Sequence, residues 1–419
     1  MPKPHHYLTS CRHAAYVSGV ASLLLSACAF AGEDGARPWT FGGFGTAGMV
    51  RSSEHAADFS ATPLNPGRAG HSRAWSYDVD SRLGAQLGYS QDRWSAVVQV
   101  VVEHNLKNSY TPVVEWANVK YQVTRDLSLR VGRIALPLFL TADYRKAGYA
   151  LPWVRPPVEL YAALPVSNSD GIDASYRWRA FGMRNETQLL FGRTSAALSD
   201  TMDARANGLA GVSHTSRIGS LRLNATAIRG TLGMQVAPEL FMGLRQFGAE
   251  GGRLASRYET DGKRATVIGL GFEYDPGQWF VMGEAGRVNA RSMLGDKSAG
   301  YLSGGYRLGA WTPYGAISRA TSNTPTAVNG LPTAGLPPAA AAAASALNAG
   351  LNDALSHIPV QDTASAGLRW DFASCAALKL QYDSVKTKAG TSGTLNNVQP
   401  DFRSGRRFGV SSVVVDFVF

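Results

Sequence analysis

A repeated punctuation limits what this chain can become. Seven short turn signals recur: SQDR at 90–93, TRD at 124–126, RAF at 179–181, IGS at 218–220, DPGQ at 275–278, LGA at 308–310 and ASCA at 373–376. Each is flanked on both sides by alternating segments of roughly ten residues, the length of a tilted strand that crosses a bilayer. Eight longer polar or irregular stretches separate the hairpins, near 52–77, 105–111, 136–168, 194–204, 231–263, 290–297, 322–359 and 388–404. Seven short turns and eight long connections make sixteen strands, with both ends of the sheet on the short-turn side.

Within the segments a period of two separates apolar from polar residues. Val79, Leu83, Ala85, Leu87 and Tyr89 oppose Asp80, Arg82, Gly84 and Gln86, while Ala117, Val119, Tyr121 and Val123 oppose Asn118, Lys120 and Gln122. Leu129 and Val131 oppose Arg130; Ile172, Ala174, Tyr176 and Trp178 oppose Asp173, Ser175 and Arg177; Leu378, Leu380 and Tyr382 oppose Lys379, Gln381 and Asp383. Charges on one face in strand after strand call for a wet barrel interior rather than a packed core. A soluble sandwich shows the same alternation, so the aromatic residues must decide. Trp94, Trp178, Trp279, Trp311 and Trp370 sit beside the short turns, as an interfacial girdle requires and a buried core does not. The closing stretch SSVVVDFVF, residues 411–419, keeps Val413, Val415, Phe417 and Phe419 on one face, which lipid would cover and a neighbouring strand would seal.

The first residues read as an export signal. Lys3 and Arg12 precede a mostly apolar run, and Ala29-Phe30-Ala31 fits a peptidase site, giving a signal peptide at 1–31 and a barrel domain at 32–419 beginning with Gly32. LSAC at 25–28 also fits a lipoprotein box, with Cys28 lipidated. With Cys11 and Cys28 in the leader, Cys375 alone remains, so no disulfide framework is available. Beyond the leader no run of about 18 apolar residues exists for a membrane helix. The net charge of +10 reads either as contact with acidic lipid sugars or as an anion-attracting surface.

This pattern resembles the Gram-negative outer-membrane porins, the general trimeric diffusion channels, over essentially the whole mature chain. LRVGR at 129–133, leading into a long third loop, and the terminal strand carry the likeness most specifically. The resemblance implies a sixteen-stranded antiparallel transmembrane barrel with short periplasmic turns, long outer loops and a third loop folded into the lumen. It also implies a homotrimer in the outer membrane, contact with membrane lipid and lipopolysaccharide, and insertion by a barrel-assembly machinery that reads Phe417 and Phe419. Arg82, Lys120, Arg130, Arg177 and Arg184 are in lumen-facing phase, and the loop at 136–168 brings Asp143, Arg145, Lys146, Arg155 and Glu159 toward an eyelet. Small hydrophilic solutes would then diffuse through, with anions favoured. The alternative is that these bases pair with Asp80, Asp173, Glu186 and the loop acids and simply hold the loop. The PEFGG-type turn of enterobacterial porins is absent, which leaves the shape of the constriction open.

Other motifs carry less. GFGTAG at 43–48 matches a dinucleotide fingerprint but lies in a strand pattern with no following helix. SHTS at 213–216 lacks the GxSxG context of a hydrolase, the histidines lack metal-ligand spacing, and the bases are too dispersed for nucleic acid. No cofactor and no enzymatic activity are expected. A solute-specific porin, a structural or adhesive barrel and an outer-membrane hydrolase are the alternatives. The alanine-rich piece after Pro337-Pro338 is a short helix candidate in the seventh outer loop.

Overall fold

The computed structural model describes residues 38–164, 166–197 and 203–419. The expected signal peptide, with Cys11 and Cys28, lies outside the described residues. Sixteen antiparallel strands close into a single barrel. The first half comprises β1 (Trp39–Ser52), β2 (Arg82–Gln91), β3 (Trp94–Glu103), β4 (Val113–Gln122), β5 (Leu127–Ala135), β6 (Asn168–Ala180), β7 (Met183–Ala197) and β8 (Asp203–Ile218). The second comprises β9 (Leu221–Leu232), β10 (Arg264–Tyr274), β11 (Trp279–Asn289), β12 (Lys297–Tyr306), β13 (Trp311–Ser322), β14 (Gln361–Ala373), β15 (Ala376–Thr387) and β16 (Arg407–Val418).

Every short connection falls on an expected turn. Phe181 and Gly182 show why: both take positive φ, 53° and 71°, as the two-residue turn between twisted strands demands. The barrel closes where β16 meets β1, from Phe44 opposite Val418 to Ser52 opposite Val410. Gly43 donates its N–H to the Phe419 carbonyl at 2.8 Å and accepts from the Phe419 N–H at 3.0 Å, so the last residue is paired. Gly43 and Gly45 lack side chains because the Phe419 and Phe417 rings occupy that space.

The outer surface keeps the phase expected of it. Leu83, Leu129, Val131, Ile172, Leu380 and Tyr382 are exposed on the outside, whereas Asp173, Lys379, Gln381 and Asp383 are enclosed. At the short-turn end a ring of aromatic contacts runs around the barrel, including Trp39 with Tyr89, Trp94 with Tyr121, Tyr274 with Trp279 and a stacked Trp311–Trp370 pair. Lipid-facing apolar residues bounded by such a girdle make this a membrane-spanning barrel. Val79 departs from the expected pattern. It precedes β2 and is buried among Val50, Phe59 and Val410, since the first outer loop folds inward there.

The outer loops add structure of their own. Helices α1 (Pro238–Arg245), α2 (Gly248–Tyr258) and α3 (Pro338–Ser356) pack around Phe241, Leu244, Leu351 and Leu355. The alanine-rich segment is thus a helix, of 19 residues. Inside the barrel the expected wet interior holds on one side only. Leu190, Ile228, Val267, Met282, Tyr301 and Tyr314 point inward and form an apolar core with the third loop.

Candidate pore constriction

The third loop follows Ala135 at the end of β5, and Gly132 three residues earlier takes a φ of 124° that lets the strand bend inward. Its base is pinned by the Leu136 N–H to the Ser167 carbonyl, 2.9 Å. From there Leu136, Leu138, Phe139, Leu151, Trp153 and Leu160 pack against the inward apolar wall. Trp153 is 1% exposed and donates its indole N–H to Ser303 Oγ at 2.7 Å. Replacing Trp153 by alanine is expected to cost about 3–5 kcal/mol. A lowered transition in a heat-modifiability gel series would report it.

Polar anchors fix the rest of the loop. Glu284 on β11 accepts from the Leu140 N–H (2.7 Å), the Tyr161 hydroxyl (2.6 Å) and the Tyr301 hydroxyl (2.7 Å). Lys379 on β15 donates to the carbonyls of Gly148, Leu151 and Trp153 at 2.7, 2.8 and 2.9 Å and pairs with Asp416 at 2.8 Å. Tyr149 reaches the carbonyl of Ser374 at 2.9 Å, in the short turn between β14 and β15. The loop therefore descends to the short-turn end of the lumen.

The closed sixteen-stranded antiparallel barrel has counterparts among solved structures. The outer-membrane channel DcaP of Acinetobacter baumannii matches with a TM-score of 0.54 at 11% identity, over 91% of this chain and 97% of that one. OmpF of Salmonella typhi, solved with daunomycin, matches at 0.55 and 10% identity, over 91% and 97%. The anion-selective porin from Comamonas acidovorans matches at 0.51 and 12% identity, over 91% and 99%. The fold is that of the outer-membrane porins. No family model and no curated protein matches the chain by sequence.

Within this porin fold the expected site residues separate into two groups. Arg155 and Glu159 are enclosed, at 4% and 2% exposure, and face no open water. Arg155 holds Asp80 at 2.9 and 2.6 Å, Asp383 at 3.1 Å and Ser412 at 2.6 Å. Glu159 accepts from Ser318 at 2.5 Å, from Gln361 at 2.6 Å and from Thr363. Lys146 pairs with Glu103 at 2.7 Å and Glu115 at 2.9 Å, Arg145 lies near the same two acids, and Arg82 faces Glu103 at 3.8 Å. The loop cations thus meet wall carboxylates rather than the wall arginines, as like-charge repulsion dictates. Burial alone would lower the Lys146 pKa, but Glu103 and Glu115 outweigh it and hold the ammonium above its ordinary value. Because that pKa is raised on folding, this anchor contributes fully below the ordinary lysine range and is lost only in stronger alkali.

The second group lines the side the loop leaves open. Lys120 stands opposite Arg130 across β4 and β5, and Arg130 pairs with Asp173 at 2.6 Å. Arg177 stands opposite Glu186. Sequence reading passed over the most telling feature: Arg179, Arg184, Arg217 and Arg222 are consecutive cross-strand partners on β6, β7, β8 and β9. Their alternation with Trp178, Ile218, Leu221 and Leu223 was visible, but their register was not. Among the described residues, Arg179, Arg184 and Arg217 have no ion-pair or hydrogen-bond partner. Arg222 faces Glu273 at 3.6 Å and donates to the loop carbonyl of Leu140 at 3.1 Å. The exposed Asp143 lies beside it and contributes to its field. Directly opposed like charges destabilise a sheet by about 0.2–1 kcal/mol per pair.

The possible nucleophile pattern at 213–216 divides across the wall. Ser213 is inward, whereas His214 and Ser216 lie on the lipid face in a hydrogen-bonded chain with Thr187 and Asn185. Among the described residues the imidazole meets only these hydroxyls, Thr187 Oγ1 and Ser216 Oγ.

Proposed function

We propose that this chain is an outer-membrane channel of Gram-negative type for passive diffusion of small hydrophilic solutes and ions, with a preference for anions. The observation that carries the anion preference is the Arg179–Arg184–Arg217–Arg222 ladder, set beside Lys120, Arg130 and Arg177. The opposing loop offers Asp143 as its exposed acid, while Glu159 is committed to hydroxyl and amide donors. A solute entering from the long-loop side passes between the packed loop and the basic wall. Low-dielectric surroundings strengthen the field there, so anions concentrate without a bound intermediate. The apolar core across the other half of the lumen narrows the passage and favours small solutes.

In the same reading the barrel assembles as a homotrimer through its first strands. Leu83, Leu87, Val98, Val113 and Val119 leave the outer wall of β2 to β4 apolar. Phe417 and Phe419 serve as the terminal signal for insertion.

The test is single-channel recording of refolded protein in a planar bilayer under a potassium chloride gradient. Stepwise openings in threes, with a reversal potential of the sign set by chloride, are expected. A correctly folded, heat-modifiable barrel that conducts nothing would remove the diffusion-channel reading. The long outer loops would then be the place to seek function.

A further inference from the structure

The long-loop end of the barrel holds a cleft that takes no part in seating the third loop. Its volume is about 440 Å³, and it lies where the first outer loop meets the second and the eighth. The eighth loop is zipped onto the first: Asp58 donates its N–H to the Asn396 carbonyl at 2.8 Å, and its own carbonyl accepts from the Asn396 N–H at 2.9 Å. Asp58 is 1% exposed, and its carboxylate is taken up by neutral donors, the Ser72 N–H at 2.7 Å, the Ser72 hydroxyl at 2.5 Å and the Asn397 amide at 2.9 Å. It therefore fixes Ser72 and Asn397 in the lining and pairs with neither arginine there, Arg68 or Arg73.

Both arginines keep donors to spare. Arg68 sits at a φ of 64°, a left-handed backbone that a long side chain rarely adopts, directly after Gly67 at 67°. Among the described residues its guanidinium meets the side-chain carbonyl of Asn108 and no carboxylate. Arg73 reaches Asp78 through one nitrogen at 3.2 Å with its side chain 47% exposed, and Tyr110 donates to the other oxygen of Asp78 at 2.7 Å. A guanidinium has five N–H groups, so each retains donors for an incoming oxyanion. Beside them Asn396 spends its Nδ2 on Ser60 at 2.8 Å and, among the described residues, keeps its Oδ1 as an open acceptor. Pro63, Pro66 and Leu106 supply the apolar part of the lining.

We propose that this cleft binds a ring-sized hydroxylated carboxylate, of the sugar-acid class, before it enters the pore. The carboxylate goes to the guanidinium forks of Arg68 and Arg73, which suit a planar anion with two oxygens. The hydroxyls meet Asn396 Oδ1, Asn397 and Ser72, and the C–H face of the ring rests on Pro66 and Leu106. A plain aromatic acid leaves those neutral groups unpaired, and a neutral sugar leaves the guanidiniums unpaired. Polar groups deprived of partners are what separate such ligands. The site rests on the channel reading above, to which it adds a solute class, and its test reads binding rather than current.

The full-length barrel, refolded in non-ionic detergent, is titrated with glucuronate, glucose, benzoate and acetate, and binding is read by saturation-transfer NMR against a detergent blank. Glucuronate is expected to bind at least about tenfold more tightly than each of the other three, as unpaired polar groups dictate. Arg68→Gln with Arg73→Gln is expected to abolish that margin while heat-modifiability stays as in the parent. Leu106→Trp, which fills the cleft and removes no hydrogen bond, is expected to do the same. Glucuronate bound equally by the parent and either variant overturns the assignment. So does loss of binding in Arg184→Glu with Arg217→Glu, which would move the carboxylate to the pore wall. Benzoate, acetate or glucose bound as tightly as glucuronate overturns the sugar-acid class. A barrel that conducts nothing yet keeps the glucuronate margin retains this site and removes the diffusion-channel reading alone.

Discussion

Replacing Lys379 by methionine is expected to loosen the third loop more than any other single change in the lumen. The ammonium is completely buried, and it holds three loop carbonyls together with Asp416, which is itself buried and accepts from the Thr46 hydroxyl at 2.5 Å. Methionine fills a similar volume, so packing alone predicts little change. The electrostatics predict a great deal: removing one member of a buried pair costs about 3–5 kcal/mol, because the other charge is left uncompensated. The Gly148, Leu151 and Trp153 carbonyls lose their donor as well, at about 1–3 kcal/mol for each that water cannot reach. The loop end that Tyr149 ties to the Ser374 turn should detach. Single-channel records should then show larger, noisier conductance, and the folded form should convert at lower temperature in a gel series. The double change Lys379→Met with Asp416→Val removes both charges and should recover much of the thermal loss. A Lys379→Met channel with parental noise and thermal transition would show that the apolar face alone seats the loop.

The second large effect concerns ion choice. Arg184→Glu combined with Arg217→Glu changes the charge of the open wall by four units while leaving the loop anchors untouched. At about 10 Å in water each unit charge acts on a passing ion with roughly 0.4 kcal/mol, so four units amount to about 1.7 kcal/mol. That is more than a tenfold shift in the anion-to-cation ratio at low salt, enough to reverse the expected preference. Near 1 M salt the Debye length shrinks to about 3 Å and most of the shift should disappear. Reversal potentials at both ionic strengths measure it. Parental selectivity in the double variant at low salt would place the selecting field elsewhere in the lumen. Arg155→Gln is the useful contrast, because its guanidinium is enclosed by Asp80 and Asp383 and should influence stability far more than selectivity.

Much of the barrel was legible because its signals are local. A tight turn such as Phe181-Gly182 needs its own two residues, and period-two alternation puts Leu380 outside and Lys379 inside without knowledge of any partner strand. The site was less legible because it depends on which strand stands beside which. Nothing local distinguishes Arg184, on the open wall, from Arg155, locked behind two aspartates. The wet-interior expectation erred for a related reason. Inward Leu190, Met282 and Tyr301 look like ordinary strand residues until the third loop brings Phe139 and Trp153 against them. The alternative in which bases hold the loop is realised at Arg155 with Asp80, and Arg130 is paired with Asp173 within the wall.

The attachments of the third loop also bear on mechanics. It grips β9 through Arg222, β11 through Glu284, β12 through Ser303, β14 through Gln361, β15 through Lys379 and β16 through Ser412, like spokes drawn to one side of a wheel. A hoop braced along one arc resists flattening there and yields along the other. Lateral pressure from the membrane should therefore flex most readily the span of β5 to β8, which these polar anchors do not reach and which carries Arg130, Arg177, Arg184 and Arg217. Compliance and the proposed selectivity share the same stretch of wall, so stiffening it with a cross-link should quiet the current and sharpen the charge preference together.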